Sequence, residues 1–230
     1  METWQKNLIW LAQQFPEKWK QTALPTAPAD FQARLNDAVG QARPLELLKV
    51  AKAFNISLER LLEKDLESLS KFPFQNIKWL VLDVDGTLTD GGMYFAESGN
   101  EYKKFNTKDG MAIKRLLAKG IKVAFVSSGI NETIIANRAK LLGVSLWYCG
   151  TENKKAILDQ WSAQHGFSFA EAAYIGDDVN DLEIMREVAV SACPADAVEE
   201  VKNQVDIILQ KKGGQACVRE FADEYLGFLF

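Results

Sequence analysis

Residues 77–82, IKWLVL, form a short apolar run that ends on Asp83-Val84-Asp85-Gly86-Thr87-Leu88-Thr89. A run of that length predicts a strand buried in a sheet. Two carboxylates one residue apart, just past a buried strand, are costly unless they bind something. The strand therefore demands both neighbours to pair with and a partner for its acids. The later chain supplies the neighbours. Strands are predicted at 121–126, 145–149, 172–176, near Val190 and at 205–209, separated by helices at 109–118, 131–143, 153–166 and 179–188 and followed by one from about Ala216. Residues 93–95 and 101–105 flank Ser98-Gly99-Asn100, the pattern of a hairpin with a glycine turn. Strand–helix alternation with short connections predicts an α/β fold with a parallel, doubly wound sheet. In such sheets ligands bind outside the carboxyl ends of the strands.

Those ends carry the polar chemistry. The strand at 172–176 runs into Gly176-Asp177-Asp178-Val179-Asn180-Asp181, and the strand at 121–126 into Ser127-Ser128-Gly129. Lys154 opens a later helix. Taken singly, each feature has a plain structural account: a turn, a helix-start acid that suits the dipole, a cap, a surface lysine. Together they converge on one edge of the sheet, where a hydroxyl, an amine and several carboxylates would surround one ligand. The lone histidine, His165, ends a helix beside Gly166, which argues against histidine-based hydrolysis.

Composition sets the outer limits. The 230 residues are 47% hydrophobic and 25% charged with a net charge of −4. That excludes a broad basic surface for nucleic acid or anionic lipid. From the first residues neither a signal peptide nor a membrane span is expected. Three widely spaced cysteines read as reduced thiols, so a cytoplasmic location is expected. A composition break at 71–76 divides a helical segment, residues 1–72, from an α/β segment, residues 73–230.

On these residues the α/β segment is identified as a member of the haloacid dehalogenase superfamily. Asp83-Val84-Asp85-Gly86-Thr87, Ser127, Lys154 and Gly176-Asp177-Asp178 match its four motifs. DVDGTLTDGGMYF, FNTKDG, GDDVNDLEIM and KKGGQACVREF resemble its sugar-acid phosphatases, the octulosonate 8-phosphate group. The resemblance implies a Rossmann-like parallel sheet with a β-hairpin flap and a Mg²⁺-dependent phosphatase. It implies Asp83 as nucleophile, Asp85 as acid and base, and Ser127 and Lys154 as phosphate and charge partners. Asp83, Asp85 and Asp177 would hold the metal, with Asp178 orienting Lys154 or completing the metal's outer shell, and Asp181 supporting that shell or serving equally as a helix-start acid. Thr87, Ser128, Gly129 and Asp109 would shape the substrate pocket, although Asp109 is equally a helix cap. A phosphate monoester repels an anionic nucleophile, so positive charge around it is what the chemistry needs.

Only 41 residues separate Asp85 from Ser127 and 26 separate Ser127 from Lys154, too few for a capping domain in either gap. Similar capless phosphatases are tetramers in which the hairpin helps a neighbour close the site. Met93, Tyr94, Phe95 and Phe105 fit that role, so a homotetramer is expected. Relatives carry an arginine where this chain has Gly129, and another basic residue where it has Gln215; Lys103, Lys104, Lys108, Lys211 and Lys212 are candidate replacements. The expected substrate is a small phosphorylated sugar or sugar acid of the octulosonate 8-phosphate or nonulosonate 9-phosphate type.

Residues 1–72 more weakly resemble a repressor-type helix-turn-helix domain, through NLIWLAQQF and PLELLKVAKAFNISLERLLEKDL, with Leu47, Leu48, Ala51 and Phe54 as a core stripe. A recognition helix would fall in 21–44. Residues 1–75 hold ten Lys or Arg against nine acids, net +1, which favours a packing or partner-binding module over DNA binding. Two alternatives remain beside the phosphatase: a non-catalytic regulator or oligomerisation protein, and a mutase. Intact Asp83, Asp85, Lys154 and Asp177 weigh against the first, and the open site, which admits water, against the second.

Overall fold

The structure is a computed structural model and describes residues 2–22, 24, 44–54, 56, 58–63 and 65–226. The chain divides into two compact units, Met1–Phe72 and Pro73–Phe230.

The first unit is helical. Its described helices are α1 (Thr3–Gln14), α2 (Pro16–Lys20), α3 (Pro44–Phe54), α4 (Leu58–Glu63) and α5 (Leu66–Ser70). Pro16 starts α2, where a missing N–H costs nothing, and Asp65 caps α5 by accepting from Ser68 N. Leu8, Leu11, Ala12, Trp19, Val50, Ala51, Leu61 and Leu66 share one buried cluster. Buried Asn7 ties it together: its amide donates to Leu61 O at 2.8 Å and its carbonyl accepts from Leu66 N at 2.9 Å. The expected stripe of α3 needs one correction. Ala51 is buried and Leu47 and Phe54 pack on the cluster, but Leu48 is 41% exposed and fully buried Val50 takes the inner position. The stretch 25–43, which contains most of the expected recognition helix, lies outside the described residues.

The second unit is built on six parallel strands in the order β5-β4-β1-β6-β7-β8: β1 (Trp79–Leu82), β4 (Lys122–Ser127), β5 (Leu146–Cys149), β6 (Ala172–Ile175), β7 (Val190–Cys193) and β8 (Ile207–Ile208). The strand order reverses around β1, whose four residues are all buried. Alternation sends Trp79 and Val81 to one face, where they meet Ile157, Leu158 and Trp161 of the helix Lys154–His165. On the helical side, Thr107–Ala118 packs against Cys217–Glu224. Each fully buried Leu or Val contributes about 1.5–3 kcal/mol, so the burial of all four of its residues is what fixes β1 at the centre.

The hairpin is shorter than its sequence pattern: β2 (Tyr94–Phe95) and β3 (Glu101–Tyr102) pair antiparallel, closed by Ala96–Asn100 backbone bonds around Gly99. The helix expected at 109–118 starts two residues earlier, because Asn106 caps it by accepting from Lys108 N. The segment at 179–188 is a 3-10 turn, Val179–Asp181, followed by a single α-turn, Leu182–Met185. Among the described residues no helix is long and apolar enough to cross a membrane.

Candidate active site

Asp83 leaves the end of β1 with its side chain almost fully buried. It is held there by its own backbone N–H, which bonds Ile175 O of β6. Beyond it the chain turns sharply at Gly86, whose φ is +87°. That turn brings the loop against Asp177: a Cβ on Gly86 would lie 2.0 Å from Asp177 Oδ2. The Gly213-Gly214 loop packs on the same turn from behind, and Gly214 N donates to Thr87 O at 2.9 Å. A residue with a side chain at 213 would meet the Gly86 carbonyl.

Lys154 is the first residue of its helix, capped by Asn153, which accepts from Ala156 N. Its ammonium is buried and lies 2.5 Å from Asp83 Oδ1 and 2.7 Å from Asp181 Oδ1. Asp181 spends both oxygens on the protein. Oδ1 also accepts from Tyr174 Oη at 2.6 Å, and Oδ2 accepts from the backbone N–H of Asp177 and Asp178.

Carboxylate oxygens of Asp83, Asp177 and Asp181 lie within 4.8 Å of one another. Three acids face one ammonium, and the balance is visible in their proton affinities. Burial, reinforced by Asp181, pushes the Asp177 carboxyl up to about 7. Burial likewise drives Asp83 well above the ordinary carboxylate range, against the pull of Lys154. Burial disfavours the charge on Lys154, yet Asp83 and Asp181 keep it above the ordinary lysine value. Tyr174 is raised by burial and then by Asp181, so its hydroxyl stays a donor.

A divalent cation fits this arrangement. Asp177 Oδ1 is buried with no hydrogen-bond partner, and Asp83 adds a second carboxylate. Hard oxygen donors with surplus negative charge suit Mg²⁺. Asp181, geometrically close enough to be a ligand, has no free oxygen and acts as the counter-ion of Lys154 instead.

These groups open into a cavity of about 420 Å³, lined among others by Asp85, Lys103, Ser128, Gly129, Asp178 and Asn180. Asp85 Oδ1 accepts from Lys103 Nζ at 2.5 Å and Oδ2 from Ser127 Oγ at 3.3 Å. The Ser127 hydroxyl is buried and accepts from Gly129 N at 3.0 Å. Asn180 donates to Ser128 Oγ at 3.1 Å, tying the loops after β4 and β6 together.

Four expectations change here. Asp178 does not orient Lys154; it caps the turn after β6 by accepting from Val179 N, and Asp181 orients the lysine. Thr87 is fully buried with its hydroxyl unpaired, behind the cavity rather than on its wall. Asp109 is also buried away from the cavity; its carboxylate accepts from Arg219 N at 2.7 Å and so caps the helix Cys217–Glu224. Phe105 is half-buried under the Arg138 guanidinium, 4.9 Å from the ring centre, and packs on its own domain. Cavity residues that sequence reasoning did not place include Glu101, beside Lys103, and Gly91, Ile130 and Asn180; the Tyr174 hydroxyl was also missed, although a tyrosine three residues before an acidic turn was the available signal.

A parallel sheet with its acidic loops at the carboxyl ends, an ammonium on the first aspartate and a metal-competent pair define a haloacid dehalogenase-type hydrolase. Residues 150–218 match the model of the haloacid dehalogenase-like hydrolase family. The 3-deoxy-D-manno-octulosonate 8-phosphate phosphatase KdsC of Haemophilus influenzae is 38% identical over 152 residues, 66% of this chain and 84% of that protein. The cobalt-bound structure of the deoxy-D-mannose-octulosonate 8-phosphate phosphatase YrbI from Haemophilus influenzae superposes with a TM-score of 0.64 at 36% identity, covering 68% of this chain and 91% of the other. The corresponding phosphatase of Moraxella catarrhalis, solved with a magnesium ion, a phosphate ion and KDO, gives a TM-score of 0.66 at 31% identity, covering 70% and 91%. The chain belongs to the haloacid dehalogenase-like hydrolases, and within them it is a phosphatase, a phosphoric monoester hydrolase.

Proposed function

We propose that this protein is a Mg²⁺-dependent phosphatase that removes phosphate from a sugar acid, 3-deoxy-D-manno-octulosonate 8-phosphate or a close analogue, by way of an aspartyl phosphate on Asp83. The observation that carries the reading is the Asp83 carboxylate, buried at the tip of β1, paired to Lys154 and set beside the unsatisfied Asp177 oxygen.

The Asp83 carboxylate, the Asp85 backbone carbonyl and Asp177 would hold the metal. When bound, Mg²⁺ supplies positive charge that offsets repulsion between the ester and the nucleophile. Asp83 attacks phosphorus, and Lys154 neutralises the carboxylate and the phosphoryl oxygens. Asp85 protonates the leaving oxygen and then takes a proton from the water that cleaves the intermediate. Ser127 donates to a phosphoryl oxygen, which requires its hydroxyl to turn from Asp85. Asp181 positions Lys154, and Asp178 holds the turn that carries Asp177. Ser128 and Gly129 border the sugar.

The sugar-acid assignment draws on the KdsC relatives. A homotetramer is supported by the hairpin, where Met93 is 70% and Phe95 61% exposed at the mouth of the cavity; a two-stranded hairpin with apolar residues in water is poorly stable alone. Free Cys149, Cys193 and Cys217 suit a reducing cytoplasm. Residues 1–72 form a helical packing or partner-binding module.

Phosphate release from a panel of sugar phosphates, with and without Mg²⁺, tests the reading. Turnover of the octulosonate ester that stops with chelator and returns with Mg²⁺ is expected. Turnover unaffected by chelation, or confined to esters without a carboxylate, contradicts it.

A further inference from the structure

We propose that Lys103 is a positioning residue for Asp85, through which the hairpin aims the proton donor at the leaving group. The inference rests on the role given to Asp85 above. Lys103 directly follows β3, and its side chain is only 5% exposed. Its ammonium lies 2.5 Å from Asp85 Oδ1 and 2.8 Å from Glu101 Oε1. Glu101 stands two residues earlier, at the start of β3, and its carboxylate reaches the same ammonium. It holds the lysine from behind while the other bond reaches across to the loop after β1.

Asp85 is thereby gripped at both oxygens, by Lys103 from the hairpin and by Ser127 from the end of β4. Anchoring the hairpin to itself would need only the Lys103–Glu101 pair. The bond to Asp85 does something further: it links the wall that carries Met93 and Phe95 to the group beside the reacting ester. Of the two cations lining the cavity among the described residues, Lys154 is committed to Asp83 and Asp181. Lys103 is the one on the leaving-group side.

In the step concerned, an Asp83 oxygen forms a bond to phosphorus as the ester P–O bond breaks. The electron pair of that bond stays on the leaving oxygen, the Asp85 proton moves to it, and alcohol departs while Asp85 is left as carboxylate. A sugar alkoxide is a poor leaving group and depends on a well-placed proton. Acetate, leaving from acetyl phosphate, departs as a stable anion and does not.

The test compares kcat and KM of the full chain and of Lys103→Met on octulosonate 8-phosphate and on acetyl phosphate, with Mg²⁺. Misplacing a proton donor is expected to lower kcat for the sugar ester on the order of 10- to 100-fold more than for acetyl phosphate. Lys103→Arg, which keeps the cation and its reach, is expected to restore much of the sugar-ester rate. Equal losses on both esters, or a rise in KM with kcat unchanged, overturn the proposal and leave the phosphatase reading standing. A wild-type protein that hydrolyses neither ester overturns both.

Discussion

Lys154 Nζ sits 2.7 Å from Asp181 Oδ1, with both side chains closed off from solvent. The cation beside Asp83 is therefore not a free lysine that swings in with substrate. It is fixed before substrate arrives, by an acid that is itself fixed by Tyr174 and by the backbone N–H groups of Asp177 and Asp178. The turn that carries the metal-competent Asp177 and the ammonium that faces Asp83 share one anchor.

Asp181→Asn should accordingly damage both. An amide has one acceptor oxygen, whereas Asp181 accepts on two sides, so one set of buried donors would confront an NH₂ group. Leaving a buried ion pair one partner short costs about 3 kcal/mol. Unfolding in denaturant should show a loss of about 2–4 kcal/mol, and kcat should fall on the order of tenfold or more. Wild-type stability together with wild-type kcat would show that the anchor is dispensable.

Gly86→Ala should weaken metal binding while sparing the fold. The residue's φ is +87°, a region that costs a side-chain-bearing residue about 1–2 kcal/mol. The added methyl would overlap the Asp177 carboxylate. Titration calorimetry is expected to show Mg²⁺ affinity weakened by about tenfold or more, as when the support of a metal ligand is disturbed. Unchanged affinity would mean that Asp177 is not a ligand.

Asp109→Asn should change the pH dependence of stability without touching the chemistry. Burial lifts the Asp109 carboxyl from the ordinary 3.8 to about 6. Between those values the folded chain keeps a proton that the unfolded chain has lost, so the group's contribution to stability declines as pH rises from about 4 to about 6. The full decline is at most about 3 kcal/mol. Denaturation at pH 4 and pH 7 should show that decline in the wild type relative to Asp109→Asn, which keeps an acceptor for Arg219 N. Parallel curves for the two proteins would contradict it.

What the sequence made legible follows from how each feature is encoded. The run 77–82 and the acids after it lie together along the chain, so β1, Asp83, Asp85 and the acidic turn after β6 could be read directly. Lys154 needed the alternation of strands and helices to bring it to the same edge. The roles of Asp109, Asp178 and Asp181 were not readable in this way. Each is an acid near a helix start, and which partner it takes depends on what the fold packs over it: the last helix over Asp109, the lysine over Asp181. Leu48 and Phe105 show the same limit for apolar residues, since a helical stripe or a hairpin flank does not say which neighbour will cover it. Spacing along the chain locates a loop, whereas the sharing of a carboxylate's two oxygens is a property of the folded neighbourhood.

The most direct measurement is acid-quenched turnover of the sugar phosphate with Mg²⁺, followed by mass analysis of the peptide that contains Asp83. Phosphate carried on Asp83 in the wild type, and neither phosphorylated peptide nor turnover in a folded Asp83→Asn protein, is the expected result. Hydrolysis by Asp83→Asn at the wild-type rate would contradict the account.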